Sequence, residues 1–160
     1  MGVFMEYIEL GKGSIQRFGI KDAEGNDTGE FIEIDPEDID FSFRANECQI
    51  KHQKNIEEVQ NKLKEIEETC NKEGEFPTEY DKATREACKE FMEKEEKTID
   101  DFIGEGTTKK ILNGRKPYML MFNDIIDTLT QIIPPLKNTS KTIIQNIKEK
   151  YKKNEGNNVI

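Results

Sequence analysis

One histidine, three cysteines and a few glycine-rich turns are the residues of this chain with the types to do chemistry. General acid–base work by His52 needs neighbours that orient its ring, and none stands beside it in the sequence. Cys48, Cys70 and Cys88 are odd in number, widely spaced and without a C-x-x-C pair, which argues against a disulfide framework or a zinc site. Cys70 reads as a small apolar residue on a helix stripe. Cys48 and Cys88 are expected to be partly exposed, with no histidine or cationic pocket to activate them. Asp22, Glu24, Asn26 and Glu33 have the spacing of oxygen ligands in a calcium loop, but Asp27 stands where its sharp-turn glycine belongs. Gly104-Glu105-Gly106 lacks the third glycine of a dinucleotide loop, Lys109 being there, and follows a helical pattern where a strand is required. Gly11-Lys12-Gly13-Ser14 lacks the spacing of a phosphate loop. All three read as turns, so no catalytic, cofactor-binding or metal-ligating residue is expected.

The elements that would carry a site are mainly helical. Ile15–Ile20 and Glu30–Ile34 alternate like strands around a loop dense in turn formers, which predicts a β-hairpin. An isolated hairpin is marginal in water, so it must pack on helices, on another strand or in an oligomer. Asp35 as cap and Pro36 at the first helical position predict a helix from there to about Lys72. Its seam is Ile56, Val59, Leu63, Ile66 and Cys70, and turns polar backward through Ala45, Gln49 and His52. After the break at Gly74–Pro77, Thr78 and Asp81 can cap a second helix over 78–103, with Tyr80, Ala83, Ala87, Phe91, Ile99 and Phe102 on its apolar face. The short connection predicts an antiparallel helical hairpin over 45–103. A short turn of helix over 107–112 and a very apolar helix from Lys116 or Pro117 to Ile133 follow. Pro134-Pro135 is expected to stop the latter, before a last amphipathic helix over 136–152. The predicted fold is therefore mainly α (α+β): an arm over 1–35, a helical domain over 36–153 and a flexible tail over 154–160, forming one cooperative domain.

Charge narrows the function classes. Charged residues are 36% of the chain and hydrophobic ones 34%, which suits helices with one apolar stripe each. Residues 1–130 carry a net charge of −13 and residues 131–160 a net of +4. The acidic body repels phosphates, so nucleic acid is not the expected partner. The basic last helix suits an acidic partner or the acidic body of a neighbouring copy, making a homo-oligomer one expectation. No apolar run reaches the roughly 20 residues of a membrane span, and no secretory signal is read at the N-terminus. A cytoplasmic protein without cofactors is the resulting expectation.

Residues 100–114 add something more specific. Asp100-Asp101-Phe102-Ile103-Gly104-Glu105-Gly106-Thr107-Thr108-Lys109-Lys110-Ile111-Leu112-Asn113-Gly114 resembles a pattern of the tail assembly chaperones of phages and prophages from Gram-positive bacteria. There, a helix ends in an acidic–aromatic pair, followed by G-x-G-T/S, a short basic turn, an Ile-Phe or Ile-Leu pair, a glycine and a further helix. The layout agrees over about residues 30–133. Leu112 stands where an aromatic is frequent, and the helix after Pro135 is longer than in the pattern.

The resemblance implies a non-catalytic cytoplasmic protein that binds the tape-measure protein and passes it to tail-tube subunits. Such a chaperone needs an apolar groove between helices and a charged exterior, and Met92, Met119 and Met121 would make such a groove adaptable. Phe102, Gly104, Gly106, Ile111, Leu112, Tyr118, Met121 and Phe122 are the candidate partner-binding residues, although a plain core role is the ordinary reading for most of them. Two rival readings are a structural component of a phage-like tail and a helical adaptor or regulatory protein of a mobile element.

Overall fold

A computed structural model describes residues 5–8, 15–35, 37–137, 144–145 and 147–152, with backbone alone at 130 and 132–137. Two strands, β1 (Gln16–Lys21) and β2 (Asp27–Ile34), precede four helices: α1 (Phe41–Thr69), α2 (Glu79–Ile103), α3 (Thr107–Leu112) and α4 (Met119–Lys137). The expected β-hairpin, helical hairpin and further helices are all present; the expected tail over 154–160 lies outside the described residues.

The strands pair antiparallel, with Phe18 opposite Ile32 and Gln16 opposite Ile34. The loop closes on Asp22, whose carboxylate accepts the amides of Glu24 and Asn26, each at 2.9 Å. Strand alternation sorts the side chains. Ile32 and Ile34 are buried, with Phe18 and Ile20 packed against the same core. Phe31 faces outward under the Arg17 guanidinium, 4.7 Å from its ring centre.

Helix α1 starts five residues later than Asp35-Pro36 predicts. The Asp35 carboxylate accepts the Glu37 amide and the Asp38 carboxylate accepts the Asp40 amide, both at 2.9 Å. Two such side-chain turns in succession compete with helix, so Phe41 is the first helical residue and Asp40 caps without a side-chain bond. Arg44 fixes this entry by reaching Asp38 at 2.6 Å and the Phe102 carbonyl at 3.2 Å. That hydrogen bond, helped by the Asp40 amide, holds the Asp38 carboxyl below its ordinary value.

Helices α1 and α2 run antiparallel. Contacts join Arg44 to Phe102 at one end, Asn55 to Glu95 in the middle and Asn71 to Tyr80 at the other. Thr78 caps α2 as expected. Its hydroxyl accepts the Asp81 amide at 3.2 Å, and the Asp81 carboxylate accepts the Thr78 amide at 2.9 Å, a reciprocal capping box. The two strands, the first half of α1, the end of α2 and α4 share one core, in which Phe41 and Phe102 stack with centroids 5.3 Å apart. Each fully buried Phe or Ile side chain there contributes roughly 1.5–3 kcal/mol.

Pro134 and Pro135 do not stop α4, which continues to Lys137. Proline's fixed φ is itself a helical value, so within a helix it costs ladder hydrogen bonds without forcing a different backbone angle. Of the last predicted helix, residues 144–145 and 147–152 are helical and exposed, while 138–143 and 146 lie outside the described residues. No described helix is long and apolar enough to cross a membrane.

Candidate partner-binding groove

The motif at 100–114 turns the chain from α2 into α3 and α4. Gly104 ends α2 at φ 150°, and Gly106 starts α3 at φ 84°, backbone angles that favour glycine. The Asp100 carboxylate reaches across this turn. It accepts the Gly106 amide at 3.2 Å and both the amide and the hydroxyl of Thr108 at 2.9 Å. Asp100 thus satisfies amides at the start of α3 that have no partner within the helix. Thr107 bonds back to the Gly104 carbonyl at 2.6 Å, and Thr108 is fully buried. The most recognisable letters of the motif are therefore a latch that fixes the turn from α2 into α3. Asn113 and Gly114, both at positive φ, close α3.

The candidate residues separate into three groups. Phe102, at 3% exposure, and Phe122, at 1%, are core and present no surface to a partner in this conformation. Leu112 is half-buried against the same core. Gly104 and Gly106 shape the turn. Ile111, Tyr118 and Met121 come together on one wall of a groove of about 560 Å³ between α4 and the β-hairpin, within the roughly 300–1,000 Å³ usual for binding clefts; Met121 is itself buried core, while Tyr118 is half-exposed. Phe18, Ile20 and Ile32 form the opposite wall, and Ile125 and Leu129 continue the α4 side. Among the described residues, Asp124 is the only charged one lining it. The alternation of apolar residues in the strands signalled this wall, but its place across the groove from α4 is set by long-range contacts of β2 with α2 and α3, which sequence periodicity does not encode.

The α1–α2 seam contains a buried polar cluster, at the end where the α1 register is expected to turn polar at His52. Glu95 is fully buried, its carboxylate 2.6 Å from His52 Nδ1 and accepting the Asn55 side-chain amide at 2.8 Å. Asn55 also donates to Thr98 at 3.2 Å, and Thr98 to the Lys94 carbonyl at 2.8 Å. His52 therefore has the orienting partner that its sequence neighbours do not supply, 43 residues away. Buried acids need such partners; the one signal for Glu95 among the glutamates of α2 is its place four residues from both Phe91 and Ile99, on the apolar face of the helix.

Cys48, one turn before His52, is buried at 4% exposure, not partly exposed as expected. It shares the inner face of α1 with Ala45 and Phe41, a face the reading through Gln49 missed by one residue. Cys48, His52 and Glu95 have the residue types of a nucleophile, base and orienting group. Burial, reinforced by the negative Glu95, pushes the thiol from 9.0 up to about 11, opposite to the shift that activates a cysteine. Cys48 lines neither the groove nor the smaller cleft of about 260 Å³ between α1 and α2, whose rim is the charged set Glu58, Lys62, Glu90 and Lys94. Among the described residues no three His, Cys, Asp or Glu side chains are grouped to hold a metal ion.

No curated protein and no solved structure matches the chain. A family model does match, over residues 28–158, from β2 to the basic C-terminal segment. The chain therefore belongs to that family, described as a family of unknown function (DUF6673).

Proposed function

We propose that the protein is an assembly chaperone of a phage or phage-like tail, working in the bacterial cytoplasm. It binds an apolar helical stretch of the tape-measure protein and releases it to tail-tube subunits, stoichiometrically and without catalysis. The observation that carries this reading is the open apolar groove, placed directly after the chain segment that resembles those chaperones. An amphipathic helix lies in such a groove through anchors three, four and seven residues apart. The acidic exterior keeps the complex soluble, since net charge opposes association. The suppressed reactivity of Cys48 and the closed packing around His52 and Glu95 support the non-catalytic part of the reading.

The test is co-expression with the proteins encoded beside it, followed by capture at moderate salt. Capture of a long helical protein that is soluble only in the presence of this chain supports the proposal. Recovery of the chain in purified tail particles, without such capture, replaces it with a structural tail component.

A further inference from the structure

The fold leaves two complementary features unfilled. One is the hairpin–α4 groove. The other is the pair of helical stretches 144–145 and 147–152, where Ile144 is 54%, Ile147 50% and Tyr151 68% exposed. At about 100° per residue these three fall within an arc of about 60°, with Lys148 and Lys150 on its two flanks. Their spacing, three and then four residues, is that of an amphipathic helix seated in a groove.

We propose that this C-terminal helix of one copy docks in the hairpin–α4 groove of a second copy. Ile144, Ile147 and Tyr151 meet the walls formed by Phe18, Ile20, Met121 and Ile125, and a flanking lysine meets Asp124 at the rim. Charge favours an occupant of this kind: residues 131–160 carry +4 and the remainder of the chain −13. A tail entering another copy's acidic body offsets part of the repulsion between two acidic chains. Among the described residues the tail's own anchors stand exposed and none of them fills its own groove, so the occupant is the tail of another copy. Three anchors per groove bury far less than the roughly 1,200–2,000 Å² of a stable interface. The association is therefore weak, concentration-dependent and weakened by salt. Docking needs only the groove; that the tail also competes with a tape-measure helix rests on the proposed function.

The experiment is light scattering on the full chain over a wide concentration range, at low and high salt. The expected mass rises from one chain toward two at low salt and falls back at high salt. The rise is lost in the double variant Ile144→Asp/Ile147→Asp, and in Thr128→Arg, which puts a bulky cation at an exposed groove position. Mixing these two variants restores part of it, because each supplies the half the other lacks. Amide exchange of α1 and α2 unchanged in both variants establishes that they fold. A single-chain mass at every concentration overturns the proposal, whether the tail is then protected by folding back on its own groove or left exposed. So does a mass rise that the tail variant does not alter. The two readings fail separately: self-docking without solubilising a tape-measure protein removes the client, and the converse removes the docking.

Discussion

Between α1 and α2, Glu95 lies wholly inside the protein, and its two oxygens are taken by His52 and Asn55. Between the hairpin and α4, Phe18, Ile20 and Tyr118 line an open groove together with the buried Met121 and Leu129, and among the described residues its single acid is Asp124. The first region is polar and closed; the second is apolar and open. Buried hydrogen-bonded charge adds little net stability, but losing one partner is expensive, so it fixes which residues must face each other. Apolar surface left open has no such internal demand and is available to another chain. The closed seam fixes how the two helices pair; the open groove is the proposed binding site.

Variants can break this division, and the seam carries the largest expected effect. Glu95→Ala strands His52 and Asn55 and opens a void, and should cost about 3 kcal/mol in denaturant unfolding. Replacing His52, Asn55 and Glu95 together by leucine should restore most of that stability while loosening the pairing of α1 with α2. A mild effect of Glu95→Ala alone would remove the seam's structural role.

Next comes the latch that joins the two regions. Asp100→Ala removes three hydrogen bonds at the start of α3 and should cost about 2 kcal/mol. It should also weaken client capture, because the α2–α3 turn that leads to Ile111 in the groove is loosened. Arg44→Ala should cost about 1 kcal/mol, since its partner Asp38 is partly exposed and screened by solvent. The Asp38 carboxyl is held below its ordinary value in the fold. The Arg44 pair therefore stabilises fully above that ordinary value and loses its effect as pH falls through the lowered folded one. The variant should show a correspondingly smaller acid-side loss.

Cys48 gives an alkaline counterpart. Its thiol is neutral in the fold up to about 11 but ionises near 9.0 when unexposed to burial. Above pH 9 the unfolded chain binds fewer protons than the folded one, so stability should fall as pH rises from 9 toward 11. Cys48→Ala should remove that part of the decline. The smallest stability effects belong to the groove. Tyr118→Asp, at a half-exposed position, should change unfolding by no more than about 0.5 kcal/mol while reducing client capture strongly. A large stability loss instead would make the groove wall an ordinary part of the core.

The same division explains what could be read from the sequence. The Thr78–Asp81 capping box, the α2 boundaries, the glycine turn at 104–106 and the short α3 follow from local signals: a cap residue, a glycine requirement, a helical period. The start of α1 escaped because Asp35 and Asp38 form side-chain turns with the amides two residues on, in place of the expected helical cap at Asp35. The end of α4 escaped because proline was read as a stop, whereas its fixed φ is a helical value and the backbone carries through it despite the lost hydrogen bonds and crowding that proline brings. Glu95 escaped because its partners come from the other helix; its place four residues from Phe91 and Ile99 signals burial, but not what satisfies the charge. Of the candidate site, Ile111, Tyr118 and Met121 were legible as apolar residues around the motif. The opposite wall was not, because it depends on how β2 lies against α2 and α3.

The most direct test of the groove as a client site is a photo-crosslinking residue at position 118, in cells that also make the neighbouring tail proteins. The account predicts a crosslink to the tape-measure protein that disappears when Ile111 is changed to aspartate, while a crosslinker at the exposed position 89 on α2 gives none. Crosslinking only to other proteins, or equally from both positions, would contradict it.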